Sequence, residues 1–536
     1  MRKRVSLILL FIVSVFYGIG QTNMTLDRDF LLPYQSEFND KSNIQFTSVM
    51  PYDKEKTKPV LWHDSASGVE PVMNTNWYTG YRDLLFRGRD KEPSSGKVNI
   101  NITSLEGGSG GYDVYAKKAM YDYFGGAHLD LKWGKKLSFS ANYIGGDIVA
   151  PSFMDSIIKR YKVVPGMGYA YGTAAKGYSY QYWDGYLSYN IDSHFNFQIG
   201  KGKQFWGDGY RSLFLSDVSN SYPYFKITAT IWHIQYVSMF TVMQDAEAPS
   251  GLVRDFHTKY GSFHYLTWNA SPRCNFSLFE AITYDGDSGQ YRRGPDPGYL
   301  NPIIFYQPVN YNIGDPDKSH LGAAFKIKVA KKEQFYGQIL IDEFKLQYVF
   351  QRHGVPDGWW GNKQGLQVGF KAFDLFGVKN LAFQTEINYV RPFTYTARDP
   401  LQNFSNFNQP LADPEGANFI ESASFLTYYH KNFLLQGSIV AYKYGGDSGS
   451  SDWGQNIFII YTQHQKEFYN HVGQGISIYL ATIGLKADYI ISPKMNLKAE
   501  FAAYECIDKV AGTTISEPYV TLGIKTSLGN LYNDFR

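Results

Sequence analysis

The chain has 536 residues, with 52 basic and 49 acidic side chains and a formal net charge of +3, so no charge excess argues for nucleic acid as a partner. Its two cysteines, Cys274 and Cys506, are too few for a disulfide framework; one long-range bridge and two unpaired thiols both remain open. Mean hydropathy is −0.33, yet 17% of the residues are aromatic (44 Tyr, 38 Phe, 10 Trp) beside 51 Gly, a mixture that suits strands at a membrane–water interface better than a water-soluble core.

Residues 1–20 read as a secretory signal peptide. Arg2, Lys3 and Arg4 precede an apolar run from Val5 to Tyr17, broken only by Ser6 and Ser14, and Gly18-Ile19-Gly20 offers small residues to a signal peptidase. That run is short for a spanning helix. No acylatable cysteine follows it. Residues 21–95 carry Pro33, Pro51, Pro59, Pro71 and Pro93 among charge clusters and are expected to form a periplasmic or lumen-entering N-terminal segment, partly helical.

From residue 96 to 536 the dominant pattern is alternation. In "SHFNFQIGK" Phe195, Phe197 and Ile199 share one face and His194, Asn196 and Gln198 the other. "LAFQTEINY" sets Leu381, Phe383, Thr385, Ile387 and Tyr389 against Gln384, Glu386 and Asn388, and "MNLKAEFAA" sets Met495, Leu497, Ala499 and Phe501 against Asn496, Lys498 and Glu500. Such segments recur without helical text between them, about sixteen to eighteen times, as expected of an all-β, transmembrane outer-membrane antiparallel β-barrel. Short turns ("WGKKL", "NIDSH", "NASPR", "ISPKM") alternate with long polar loops at 285–318, 391–421 and 444–456. "SFMDSIIKRY" (Ser152–Tyr161) breaks the pattern: Pro151 precedes it, and Phe153, Ile157, Ile158 and Tyr161 fall at helical spacing, predicting a small helical insert. "GGSGG" (Gly107–Gly111) reads as a flexible connection. The final strand, near 516–528, is followed by Leu531, Tyr532 and Phe535, aromatics of the kind that outer-membrane insertion machinery reads at a chain end.

One mid-chain stretch carries the densest chemistry. "IGKGKQFWGDGYRSLFLSD" (Ile199–Asp217) begins as a strand and then gathers Lys201, Lys203 and Arg211 near Asp208 and Asp217, around Trp206. Two readings stand. Lys201 and Lys203 share a face if the strand continues, and would meet acidic partners such as Asp342 and Glu343 of "LIDEF" in a lumenal ion-pair network that braces a loop. Alternatively Trp206 folds over the barrel mouth and the cluster is a binding rim for an anionic polysaccharide, because sugars stack on aromatic faces and acidic sugars pair with Lys or Arg. Lys159 and Arg160 on the predicted helix admit the same pair of readings.

This stretch resembles the segment G-[RK]-x-x-x-x-W-G-x-G followed by L-x-L-S of the Wzi-type capsule-assembly outer-membrane proteins, through Gly200, Lys201, Trp206, Gly207, Gly209, Leu213, Leu215 and Ser216. "GYLNPIIFYQPVNYNIGDPDKSHLGAAFK" (Gly298–Lys326) and "GQILIDEFKL" (Gly337–Leu346) look like further pieces of that family. "EINYVRPFTYTARDPLQNFSNFNQPLADPEGANFIE" (Glu386–Glu421) resembles its RemB-like gliding-motility branch in Bacteroidota. The resemblance implies a barrel of about eighteen strands that organises or anchors surface or capsular polysaccharide. Its partners would be outer-membrane lipid, that polymer, and gliding or secretion machinery. It also implies no enzymatic activity.

Elsewhere the residues point to no cofactor and no metal. "GGSGG" lacks the Lys-Ser/Thr of a phosphate loop. "YDGDSGQ" (Tyr284–Gln290) lacks the later ligand positions of a calcium loop. The histidines are scattered, and no G-x-S-x-G sits on a strand–turn–helix. A porin-like diffusion channel is the alternative function.

Overall fold

Side chains on a strand alternate faces, so a segment whose odd positions are apolar and even positions polar can stand between lipid and an aqueous lumen. In the computed structural model eighteen such strands close into one antiparallel barrel. The structure describes residues 23–39, 48–53, 98–134, 136–246, 256–288, 291–292, 294–303, 317–348, 356–492, 496–527 and 529–534. The expected leader, much of the segment up to residue 95 and Phe535 lie outside the described residues.

The strands are β1 (Val98–Asp113), β2 (Lys118–Trp133), β3 (Leu137–Val149), β4 (Gly177–Asn190), β5 (Phe195–Gly202) and β6 (Tyr222–Ile231). Next come β7 (Ile234–Asp245), β8 (His257–Ser271), β9 (Cys274–Asp285), β10 (Lys318–Lys328), β11 (Glu333–Glu343) and β12 (Lys363–Phe373). The last six are β13 (Leu381–Val390), β14 (Phe419–His430), β15 (Phe433–Gly446), β16 (Ile476–Ser492), β17 (Leu497–Val510) and β18 (Thr513–Thr526). Each pairs with its successor, and β18 returns to β1 from Gly107↔Lys525 to Asp113↔Tyr519, which closes the barrel. Among the described residues no helix is long and apolar enough to cross a membrane; the outward apolar side chains are carried by the strands of the barrel.

The alternation sorts as the amino acids dictate. On β5, Phe195 and Ile199 are exposed to the outside, whereas Asn196 and Gln198 are buried toward the lumen. At one end of the barrel the connections are short (134–136, 191–194, 232–233, 272–273, 329–332, 374–380, 431–432, 493–496); at the other they include 150–176, 203–221, 286–317, 391–418 and 447–475. Short turns mark the periplasmic end of an outer-membrane barrel. Val98 and Thr526, where the barrel begins and ends, are both at that end. Exposed Trp133, Trp232, Trp268, Phe433 and Tyr489 cluster there too, as an aromatic girdle should.

Several expectations need correction. Gly107–Gly111 is not a connection: it is part of β1, paired on both sides. A Cβ on Gly107 would lie 2.3 Å from the Phe124 ring and one on Gly111 2.4 Å from the Val520 carbonyl, so the glycines serve close strand approach. The loop 391–418 starts from the outer end but is largely buried in the lumen. Of the two states left open for the cysteines, the structure shows the one without a disulfide between Cys274 and Cys506. Tyr532 is not the close of a last strand: β18 stops at Thr526, and residues 529–534 turn back into the lumen.

Two helices also fill the lumen. Helix α1 (Arg28–Phe38) starts where the Asp27 carboxylate accepts from the Asp29 and Phe30 amides, at 2.9 and 3.1 Å. Helix α2 (Ser152–Tyr161) falls on the residues that the 3.6-residue spacing predicts. Its first amide and hydroxyl donate to Asp113 at 2.8 and 2.7 Å, and Phe153, Ile157 and Ile158 are buried.

The depth of the apolar band sets the first expected outcome. Leu485, 65% exposed in mid-band, changed to Arg should lower unfolding stability in a bilayer by about 2–4 kcal/mol, whereas Thr514→Arg at the outer end of β18 should cost at most ~1 kcal/mol. Denaturant titration of folding into vesicles measures both, and equal costs would contradict the membrane placement.

Candidate functional site

Beyond Gly202 the chain leaves the wall and dips inward. Phe205 and Trp206 pair with Met50 and Val49 of the N-terminal segment, and the Trp206 amide donates to the Leu215 carbonyl at 2.8 Å. Trp206 is fully buried, its ring 5.6 Å from Tyr265 and 6.2 Å from Phe279, and Phe214 stacks on Phe279 at 4.6 Å. The loop 391–418 packs on the same segment: Tyr395 Oη donates to the Leu213 carbonyl at 2.8 Å and the Ser216 amide donates to that of Leu411 at 2.7 Å. Together these loops form a dry plug against the lumenal faces of β6–β14.

At its centre lies Arg211, whose side chain is wholly buried. Nε donates to Glu421 at 3.0 Å, Nη2 reaches Asp534 at 3.1 Å and Tyr442 Oη at 2.6 Å, and Asp413 lies 3.7 Å away. The guanidinium sits over the rings of Tyr210 and Tyr532, at 4.5 and 5.0 Å. The amides of Tyr210 and Arg211 both donate to Glu386, at 2.6 and 2.9 Å. A Cβ at Gly209 would fall 2.5 Å from the Arg211 carbonyl and 2.8 Å from Glu386, so this turn needs glycine. Burial alone would lower the pKa of Arg211, but Asp534 and Glu421 outweigh it and hold the guanidinium well above its ordinary value. Burial, then the Glu421 charge, push Asp413 well above the usual carboxylate range. Asp217 accepts from Tyr532 Oη at 2.6 Å and Asn530 Nδ2 at 2.7 Å, with Arg28 3.8 Å away.

The sequence-predicted residues therefore separate. Trp206, Asp208, Arg211 and Asp217 all lie inside the lumen; Asp208 pairs with Lys326 at 2.7 Å and accepts from Ser48 Oγ at 2.8 Å. Trp206 is in the plug and not over the mouth, because Phe263, Tyr265 and Phe279 offer it a dry wall. Lys201 and Lys203 do not share a face, because β5 ends between them. Lys201 pairs in register with Gly185 on the outward face, with its ammonium 4.1 Å above the Trp183 ring. Lys203 turns inward and donates to the Asp217 carbonyl at 3.1 Å; burial pushes its pKa down to about 8. Their expected partners Asp342 and Glu343 are taken elsewhere: Asp342 by Lys318 and the Tyr395 amide, Glu343 by Lys318 at 3.1 Å and Lys363 at 3.0 Å. Lys159 pairs with Asp155 at 2.7 Å on α2, and Arg160 lies over Tyr161, away from the cluster.

Sequence reasoning missed Glu386, Glu421, Asp534, Arg28 and Tyr532 as partners of this cluster. The alternation of "LAFQTEINY" already put Glu386 on the polar face. What it lacked was any signal for contacts 175, 210 and 315 residues apart.

The plug fills one side of the lumen. The other side holds a cavity of about 990 Å³ against the lumenal faces of β1–β4 and β16–β18, bounded by α1, the α2 segment, Lys203, Asp217, Ser527 and residues 529–534. Seven inward-facing Lys or Arg and eight carboxylate residues line it, and many are already paired: Asp184 accepts from Asn142 and Tyr182 at 2.6 and 2.7 Å, Asp122 from Tyr180 at 2.9 Å. Tyr180, Tyr182, Tyr186 and Tyr519 add aromatic surface. Helix α1 closes part of this space, tied down where Asp29 meets Lys486 and, at 3.5 Å, Lys498. Burial would raise the Asp29 pKa, but these two lysines pull it below the ordinary range. Such a surface suits a polyhydroxylated ligand: hydroxyls meet paired polar groups and sugar rings meet tyrosines.

Fold and lumen together define an outer-membrane-type β-barrel with an internally packed plug. No protein-family model and no curated protein matches the chain. Among solved structures it is similar to Wzi of Escherichia coli, described as an outer-membrane protein involved in group 1 capsule assembly and a carbohydrate-binding β-barrel. The TM-score is 0.54 at 12% identity, over 94% of this chain and 98% of that one. At that identity the two share a fold. Looser similarities run to OccAB2 of Acinetobacter baumannii (TM-score 0.41, 10% identity, 79% of this chain and 97% of that one) and OprD of Pseudomonas aeruginosa (TM-score 0.41, 10% identity, 81% and 96%).

The plug gives a second expected outcome. Arg211→Ala strands several buried carboxylates and should cost the plug about 3–5 kcal/mol, seen as faster amide exchange over residues 205–216 while the barrel keeps its heat-modifiable migration. Removing residues 528–536 should speed exchange in the same segment. Unchanged protection in both variants would refute the network's role.

Proposed function

We propose that this protein sits in the outer membrane after export by a cleaved leader and there organises or anchors surface or capsular polysaccharide, without enzymatic activity. One observation carries the reading: a charge-balanced, tyrosine-lined cavity of about 990 Å³ beside a dry plug, inside a barrel that shares its fold with a carbohydrate-binding barrel over 94% of its length. A retaining protein needs a fixed surface for sugar, and the plug makes the lumen a walled site. The likeness of Glu386–Glu421 to the gliding-motility branch extends the proposal to surface-assembly or motility machinery as partners.

Deleting the gene should shift surface polysaccharide from the cells to the medium, measured as its partition between pellet and supernatant. An unchanged partition rejects retention. Tyr182→Ala should weaken oligosaccharide binding by the purified barrel about 10-fold. The porin-like alternative predicts steady conductance in planar bilayers, where the retaining barrel should be nearly silent.

A further inference from the structure

The outward face of β14–β18 carries a chemical boundary. In register across β15–β18, Phe433, Tyr489, Ala499 and Ile524 form one row near the periplasmic end, and Lys443, Tyr479, Lys509 and Thr514 form another toward the outer end. On every strand the rows are ten residues apart. At about 3.3 Å per residue and a tilt of about 40°, ten residues climb about 25 Å, the height of a barrel's apolar band. Leu435, Ile439, Ile483, Leu485, Phe501 and Leu522 fill the interval, all well exposed. The Lys443–Tyr479–Lys509 row, which rises about 3 Å from each strand to the next at that tilt, therefore lies at the level of the outer headgroups.

The two lysines flank the tyrosine on neighbouring strands. Lys443 Nζ leans over the Tyr479 ring at 5.6 Å, and Tyr479 is 45% exposed. Both lysines are exposed. Among the described residues neither has a carboxylate within ion-pair distance. On the same outward face Glu505, four residues below Lys509, accepts from Ser516 Oγ. Asp508 alternates to the lumenal face. Strands about 4.8 Å apart place the two lysine backbones about 10 Å from each other, close enough for both ammoniums to converge above the phenol. Two cations and a hydroxyl on the rim of an apolar band match a phosphate whose acyl chains lie along that band.

We infer that Lys443, Tyr479 and Lys509 form a binding site for the phosphate of an outer-leaflet glycolipid. The site rests on the outer-membrane placement proposed above but not on polysaccharide retention, so either can fail alone.

The test is native mass spectrometry of the full barrel with a bisphosphorylated, acylated glucosamine disaccharide lipid and with its dephosphorylated form. The wild type should hold the phosphorylated lipid preferentially. The Lys443→Gln/Lys509→Gln double variant, which touches no lumenal contact, should lose about 30-fold in affinity. Lys159→Gln on α2, which removes a charge elsewhere, should lose none. Equal retention of both lipids, or unchanged binding by the double variant, overturns the site. A double variant that still holds the lipid but releases a phosphate-bearing surface polymer also overturns it, by assigning the pair to polymer.

Discussion

A guanidinium cannot be left unpaired in a dry interior, and the lumen of this barrel is arranged around that constraint. Arg211 brings together Glu421 of β14, Asp413 of the loop before it, Asp534 of the C-terminal tail and, through backbone amides, Glu386 of β13. None of these groups is near the others in sequence. Each satisfies the arginine only if its element is in place, so one buried cation couples the wall, both inward loops and the chain's end. Asp217 repeats the arrangement with opposite sign, drawing Arg28, Asn530 and Tyr532 to a single carboxylate. A barrel closed by backbone hydrogen bonds does not need these contacts to form. The plug does, and the plug decides what the lumen can do.

The division of the lumen follows. Where Trp206, Phe214 and Tyr395 meet the lumenal faces of β6–β14, large apolar side chains remove space for water. Against β1–β4 and β16–β18 the inward residues are paired acids, bases and tyrosines, and space remains. The cavity is held open by charge as much as by shape: α1 rests on Lys486 and Lys498 through Asp29, so it cannot sink into the wall without burying an unpaired carboxylate.

How much of this was legible in the sequence depends on the range of the interaction. Alternation is local, so strands such as β5 and β13 and the faces of Gln198 and Glu386 could be read directly, as could the helical spacing of α2. The glycines of β1 misled because Gly107–Gly111 look flexible alone; their use is visible only beside Phe124 and Val520 on neighbouring strands. Lys201 and Lys203 misled because the strand ends between them, and a single added pleat would have kept them together. Arg211 was recognised as dense chemistry, but its partners lie up to hundreds of residues away, and no periodicity encodes which lumenal carboxylate meets which loop.

The outward face obeys a different rule from the inward one. Inside, each charge is matched to a specific partner because desolvation leaves no alternative. Outside, on β15–β18, apolar side chains fill the band with Glu505 hydrogen-bonded to Ser516 among them, and basic charge stands at its edge, where Lys443 and Lys509 lie ten residues above the row at the periplasmic end. A lysine there loses little by waiting for a partner, because water and headgroups lie within reach. Lys201 over Trp183 shows the same economy at β5, the ammonium resting on an aromatic ring instead of entering the plug. The charges near the membrane edge thus report where the lipid ends, while those around Arg211 report how the interior is held shut. Reading Lys201 and Arg211 as one cluster, as their closeness in sequence invites, would have merged two unrelated physical roles.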